Sequence, residues 1–249
     1  MKRPVFAANW KMNHGPTQAR AFAATFAARY TPHADRTVIL CPPALSLAAT
    51  RDALGSRRDI LLGVQNIWTA DKGAFTGESS APMAKDAGAS VVLVGHSERR
   101  HVFGETDAEV AKKCAAAARN GLTPVLCVGE LLDEREAGQT ELVVLRQLRS
   151  GIAELDDATV SSMAIAYEPV WAIGTGKTAT PNDASTVHAG IRAALRERIG
   201  DAATAVPILY GGSVNTSNAA ALLAADGVDG LLVGGASLDP EGWAAICAT

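Results

Sequence analysis

Short runs of Val, Ile, Leu and Ala recur along the chain, separated by longer segments in which apolar residues follow a helical period. The runs are apolar on both faces, which indicates strands of a parallel sheet that is covered on both sides. The pattern predicts eight strands, at residues 4–8, 37–41, 60–64, 90–94, 124–128, 163–167, 206–210 and 228–233.

The segments between these runs predict helices. Residues 183–199 are the clearest case, with Asn182 as the expected N-cap. Thr106 and Glu109 fit a capping box that opens a helix running through Ala118. The apolar stripe of the 183–199 helix consists of Ala184, Val187, Ile191, Ala194 and Leu195.

Strands that alternate with helices imply βαβ units and a parallel sheet, which is either an open doubly wound sheet or a closed barrel. Three features favour the barrel: the eight predicted strands, the length of 249 residues, and the absence of a linker. We therefore expect an α/β fold, a (β/α)8 or TIM barrel, that forms one domain over residues 1–249.

Polar and glycine residues follow most of the predicted strands. In a parallel barrel all of these strand ends lie on one face, which is where barrel active sites are found. The residues concerned are Asn9, Lys11, Gln65, Asn66, Gly95, His96, Gly129, Glu130, Glu168, Gly211, Gly212, Ser213, Gly234 and Gly235.

Glu168 ends the sixth predicted strand and is followed by Pro169. It is either a solvated loop carboxylate or a general base. The apolar neighbours Val170, Trp171 and Ile173 favour the base, because desolvation raises the pKa of a carboxyl group.

His96 ends the fourth predicted strand, directly before Ser97, where a helix is expected to begin. It is either structural or a neutral electrophile. A helix N-terminus disfavours the imidazolium ion, and a neutral ring can donate a hydrogen bond to a carbonyl oxygen. Histidines 14, 33, 101 and 188 lack this setting and are expected to be surface or structural residues.

Lys11 and Asn9 follow the first predicted strand. Most lysines are simply surface residues. At a barrel mouth, however, Lys11 supplies a positive charge for an anionic substrate, and Asn9 adds an amide.

Glycine pairs end the last two predicted strands, at Gly211 and at Gly234. Each pair alone is a common turn, but together they match the usual phosphate site of barrels, where backbone N–H groups approach an anion closely. The segment around Gly174 resembles a nucleotide loop but lacks the required glycine, since Trp171 occupies that position. We expect residues 169–177 to form a mobile lid.

The net charge of −3 gives no basic field for nucleic acid or an anionic membrane. No apolar stretch is long enough to span a bilayer, and the N-terminus does not fit a signal peptide. Four scattered cysteines fit a reducing compartment and no zinc spacing. We expect a cytoplasmic protein without a metal.

Together these motifs resemble the triosephosphate isomerase family along the whole chain. The most specific segments are residues 94–100, VGHSERR, and residues 166–177, AYEPVWAIGTGK. The resemblance implies cofactor-free interconversion of dihydroxyacetone phosphate and D-glyceraldehyde 3-phosphate through an enediolate, a step of glycolysis and gluconeogenesis. Lys11, His96 and Glu168 would be catalytic, and the substrate would be bound by Asn9, Lys11, Gly174, Ser213, Gly234 and Gly235.

The family is usually a homodimer, and the loop from Asn66 to Ser80 is long enough to suggest a special role. Because Phe75 at its tip is an odd surface residue for a monomer, we expect this loop to insert into a second copy of the chain, with Thr76 near that copy's Asn9 and Lys11.

Two other functions are considered. A phosphate-binding barrel aldolase would need a Schiff-base lysine, for which Lys11 is the candidate apart from Lys177. A non-catalytic binding protein would be suggested by loss of Glu168 or His96, and both are present.

Overall fold

The computed structural model describes residues 1–173 and 179–249, and these form a closed barrel of parallel strands in chain order. The predicted barrel is therefore confirmed over the open sheet. The strands are β1 Val5–Asn9, β2 Thr37–Cys41, β3 Ile60–Val64, β4 Val91–Val94, β5 Thr123–Val128, β6 Ala164–Tyr167, β7 Ile208–Tyr210 and β8 Gly230–Val233.

Helices surround the barrel. They are α1 Pro16–Arg29, α2 Leu47–Leu54, α3 Ala81–Asp86, α4 Ser97–His101, α5 Asp107–Arg119, α6 Leu132–Glu136, α7 Thr140–Gly151, α8 Asp157–Ser162, α9 Pro181–Ile199, α10 Ala219–Leu223 and α11 Pro240–Cys247. Short 3₁₀ turns lie at Ala44–Ser46, Val170–Ala172, Gly200–Ala205 and Gly235–Ser237.

Each strand is apolar on both faces because it packs against two different cores. One face meets the other strands inside the barrel, in a cluster that includes Val5, Ile39, Leu93 and Leu209. The other face packs under the helices in a larger cluster. Burial on both sides explains why the strand sequences are continuous apolar runs rather than alternating ones.

The first turn of α9 corrects the expected N-cap. The N-cap is Thr180, not Asn182, because the Thr180 side chain accepts the backbone N–H of Asp183 and the Asp183 side chain accepts the N–H of Thr180. Pro181 fits the first helical position, where no N–H donor is needed. The capping box predicted at Thr106 and Glu109 is confirmed at the start of α5.

The buried face of α9 also differs from the predicted stripe at one position. Val187 is only partly buried, whereas the neighbouring His188 is fully buried and its Nδ1 lies 2.9 Å from the Gly227 carbonyl oxygen. Within the described part of the chain, no helix combines the length and the apolar character needed to cross a membrane.

Candidate active site

A cavity of about 290 Å³ opens at the carboxyl ends of the strands. The alternation of strand side chains explains its lining: Val5 and Ala7 face the barrel interior, so Asn9 continues the inner face at the mouth. By the same alternation, Glu168 follows Ala166. The described residues of the lining are Asn9, Lys11, His96, Glu168, Ile173, Gly211, Gly212, Ser213, Val214, Leu232, Gly234, Gly235 and Ala236.

Glu168 and His96 are in direct contact at the floor of this cavity. Glu168 Oε1 lies 2.8 Å from His96 Nε2, and Oε2 accepts the backbone N–H of Ser97 at 2.9 Å. Both residues are almost fully buried, at 2% and 6% exposure. The structure therefore brings the two predicted acid–base groups together, and each already holds the other in place.

The protonation of His96 follows from its position as the N-cap of α4. Its Nδ1 accepts the backbone N–H of Glu98 at 3.2 Å. A ring nitrogen can accept this bond only when it carries no proton. In its neutral form the ring therefore carries its proton on Nε2, directed at Glu168.

The pKa of Glu168 departs from the sequence-based expectation. Burial raises the pKa of this carboxyl group, but His96, the Ser97 N–H and Lys11 lower it by more, so the net direction is downward. The expectation of a raised pKa is wrong for this arrangement, because it ignored the donors that burial brings with it. For His96, burial lowers the pKa, but the nearby Glu168 and Glu98 carboxylates together raise it by more, so the net direction is upward.

Lys11 approaches the same cavity on a turn with unusual backbone geometry. Its φ of 52° lies in the left-handed region, which costs a non-glycine residue about 1 kcal/mol. The Asn9 side chain accepts the Lys11 N–H at 3.0 Å, which holds the turn. Lys11 Nζ pairs with Glu98 Oε1 at 2.7 Å. The turn therefore places a cation at the mouth.

Glycines line the opposite wall. A Cβ on Gly211 would lie 3.0 Å from Glu168 Cγ, and one on Gly234 would lie 3.3 Å from Lys11 Cε. Gly235 begins a 3₁₀ turn and has open space where a Cβ would be. Ser213 is exposed beside them, so this wall presents main chain rather than side chains. The predicted contact at Gly174 lies outside the described residues.

Another glycine, Gly129, packs directly against the main chain of Glu168. A Cβ on Gly129 would lie 1.7 Å from the Glu168 carbonyl oxygen, so the Glu168 backbone crosses where any side chain would stand. Gln147 fixes Gly129 by accepting its N–H at 2.8 Å and donating to its carbonyl at 3.1 Å. The sequence marked Gly129 as a strand end but did not reveal this packing.

Glu130 was predicted only as a strand-end residue, yet it anchors the segment after Glu168. It is fully buried, and its Oε1 accepts the Tyr167 hydroxyl at 3.1 Å and the Trp171 indole N–H at 2.9 Å. The Arg135 guanidinium stacks over the Trp171 ring at 4.4 Å. Burial raises the pKa of Glu130 despite these donors. The aromatic residues flanking Glu168 were the available signal for this cluster.

Val214 and Leu232 are lining residues that the sequence pattern did not single out. They are small or apolar and carry no distinctive chemistry, so their neighbours in the chain were the only signal. Over residues 1–173 and 179–249, no group of three or more His, Cys, Asp or Glu side chains is arranged to hold a metal ion.

A closed parallel barrel with titratable side chains and glycine-rich turns at its carboxyl end defines a TIM-barrel protein of the enzyme type. The family model described as triosephosphate isomerase matches residues 4–249, and the chain belongs to this family.

Relatives and a solved structure agree with the family match. The chain is 51% identical over 246 residues to triosephosphate isomerase of Moorella thermoacetica, covering 99% of this chain and 98% of the relative. It is 49% identical over 247 residues to that of Solibacter usitatus, covering 99% of each. The crystal structure of triosephosphate isomerase from Bartonella henselae matches with a TM-score of 0.88 and 42% identity, covering 98% of both chains.

Proposed function

We propose that the chain catalyses the cofactor-free interconversion of dihydroxyacetone phosphate and D-glyceraldehyde 3-phosphate. The observation that carries the proposal is the buried contact between Glu168 and His96 in the cavity that Lys11 enters. The names of the relatives and the family match support the same reaction.

Glu168 is the base in this proposal. It removes a proton from one carbon of the substrate and returns it to the neighbouring carbon, by way of an enediolate. Its lowered pKa favours the ionised carboxylate, and its two oxygens are engaged by Ser97 N–H and His96. Substrate must therefore displace the carboxylate from these partners before proton transfer begins.

His96 is the electrophile. With its proton on Nε2, the neutral ring donates a hydrogen bond to the substrate carbonyl oxygen in place of Glu168. That bond strengthens as negative charge develops on the oxygen. A glutamate base paired with a neutral imidazole electrophile is the known arrangement in triosephosphate isomerases.

Lys11 and the glycine wall bind the anionic end of the substrate. Lys11 Nζ supplies a fixed charge, and Asn9 holds its turn. Main-chain N–H groups around Ser213, Gly234 and Gly235 reach an anion without side chains in the way. The same role is proposed for Gly174.

The test is a coupled assay that starts from glyceraldehyde 3-phosphate and compares the wild type with Glu168→Gln. Fast conversion that is lost in Glu168→Gln supports the proposal. Glu154→Gln, an exposed carboxylate on the surface, is the matched control and should retain full activity. A folded wild-type protein that converts no substrate would overturn the proposed reaction.

The aldolase alternative is tested in the same samples. A Schiff base needs a neutral lysine amine, whereas Lys11 Nζ is paired with the Glu98 carboxylate at 2.7 Å. Borohydride with substrate should therefore leave the protein mass unchanged. A trapped adduct on Lys11 would favour the aldolase.

A homodimer is the proposed assembly, formed by the loop from Asn66 to Ser80. The loop is closed by a hydrogen bond from Trp68 N–H to the Ser79 carbonyl at 2.8 Å, and Phe75 at its tip is 42% exposed. Further large apolar side chains are exposed elsewhere on the chain, namely Met12, Leu45, Met83, Val102 and Phe103. We propose that Thr76 lies near the partner subunit's Asn9 and Lys11. A fully active enzyme that sediments as a monomer would refute this.

We further propose that residues 1–249 form one domain and that the protein is cytoplasmic. The four cysteines are all unpaired and buried, which fits a reducing compartment. Limited proteolysis that releases a stable fragment would contradict the single domain, and fractionation of cells would test the location.

A further inference from the structure

Arg100 joins the ends of two neighbouring strands beneath the candidate site. Its side chain is only 7% exposed. Nε donates to the Gly95 carbonyl at 2.7 Å, and Nη2 donates to the Cys127 carbonyl at 3.2 Å. One guanidinium therefore joins the main chain just after β4 to the main chain near the end of β5.

This bridge lies where the pairing between β4 and β5 stops. The last paired residues of β4 and β5 are Val94 and Leu126. Gly95 and Cys127 are the next residues along each strand, so the guanidinium continues the connection by one position. The planar fork of arginine suits this task because it presents several N–H donors in fixed directions.

One neighbour holds the guanidinium in this position, and another leaves space for it. Asp107 Oδ1 lies 2.7 Å from Nη1. Gly95 has a φ of 70°, and a Cβ there would lie 2.7 Å from Nη2. The glycine therefore serves both the left-handed turn and the space that the guanidinium occupies.

The bridged segment carries the acid–base groups. His96 directly follows Gly95, and its carbonyl accepts the Arg100 N–H at 3.1 Å. The next N–H, that of Ser97, holds Glu168. Arg100 thus constrains the main chain just before His96 through its side chain and just after it through the first turn of α4.

We propose that Arg100 is a positioning residue for the isomerisation, which fixes the His96 ring and the Ser97 N–H relative to Glu168. The inference rests on the proposed function. Arg100 is absent from the described residues that line the cavity, so it acts through His96 rather than on substrate.

The test replaces Arg100 by Lys in the full chain. A lysine keeps the charge, but its single ammonium cannot match the fork that spans both carbonyls and Asp107. Because a displacement of ~1 Å can cost up to ~100-fold in rate, kcat should fall roughly 10- to 100-fold. KM should stay within roughly twofold, since substrate contacts remain.

A second readout reports His96 directly. In the wild type, ¹⁵N NMR of the imidazole should show one tautomer, with the proton on Nε2. In Arg100→Lys, the His96 signals should broaden or shift towards mixed tautomers. A His96→Gln sample assigns the signals. A merely structural arginine would change the free energy of unfolding and leave both kcat and the tautomer unchanged.

Arg146→Lys is the matched control. Arg146 contacts the other oxygen of Asp107 from the surface, at 3.1 Å, and is 56% exposed. The same substitution there should leave kcat and the His96 signals as in the wild type.

Should Arg100→Lys fail to fold, Asp107→Asn gives the same two readouts, because it weakens the partner that holds the guanidinium. Wild-type kcat together with an unchanged His96 tautomer in the folded variant would overturn the proposal. If the wild type itself does not isomerise triose phosphates, the proposed function fails, and the NMR comparison still decides whether Arg100 positions His96.

Discussion

Replacing Glu168 by Asp is the sharpest perturbation that the site offers, because it keeps the charge and changes only reach. Removing one methylene withdraws the carboxylate by about 1.5 Å, one C–C bond. The oxygens now lie 2.9 Å from Ser97 N and 2.8 Å from His96 Nε2. Withdrawn along the side chain, they would be about 4 Å away, beyond the ~3.2 Å of a hydrogen bond.

The main chain cannot advance to compensate. The Glu168 N–H is bound to the Val128 carbonyl at 2.8 Å, and its own carbonyl packs against Gly129. The carboxylate therefore also falls short of the substrate carbon. Since ~1 Å of misplacement can cost ~100-fold, we expect kcat to fall roughly 100-fold or more. That corresponds to about 2.7 kcal/mol in the activation barrier.

The coupled assay should show this loss in kcat with KM little changed, because Lys11 and the glycine wall are untouched. Glu154→Asp shortens an exposed carboxylate by the same methylene and should have wild-type kinetics. Turnover of Glu168→Asp at the wild-type rate would refute Glu168 as the base.

Three further predictions concern stability and the site's support. Lys113→Met should lower the free energy of unfolding, measured in urea, by about 3 kcal/mol, because it removes the buried ammonium that pairs with Glu105 at 2.5 Å. A loss below about 1 kcal/mol would contradict this. His188 is buried against the Gly227 carbonyl with its pKa lowered to about 4 from 6.5 by burial, so its contribution is present above pH 6.5 and is lost as pH falls towards 4. His188→Gln should flatten that part of the stability–pH curve, and an unchanged slope would exclude His188 as its source. Gly95→Ala should lower kcat in the coupled assay, because the new Cβ would lie 2.7 Å from the bridging guanidinium; wild-type kcat would argue against the bridge.

Much of the fold was predictable because its signals are local. Each strand is buried on both faces, so each of the eight appears as an apolar run, and the run at Ile60–Val64 matches its strand residue for residue. The N-cap of α9 was misplaced because Asn182 and Thr180 are both capping residues, and only the hydrogen bond to Asp183 distinguishes them.

The candidate site was predictable to the extent that it depends on strand ends. Glu168, His96 and Lys11 follow different strands, and barrel closure alone brings them to one cavity. The role of Arg100 was not predictable, because it depends on carbonyl groups of two strands that are 32 residues apart in sequence, as the positions of Gly95 and Cys127 show.

The amino-acid sequence alone establishes the alternation of strands and helices, the chemistry available at each strand end and the resemblance to one family. These follow from side-chain types and their spacing, which need no tertiary contact. Tertiary structure decided the ionisation and orientation of that chemistry. Glu168 has a lowered pKa only because His96, Ser97 and Lys11 converge on it from other parts of the chain. Coulombic and hydrogen-bond effects depend on distances that exist only in the folded barrel.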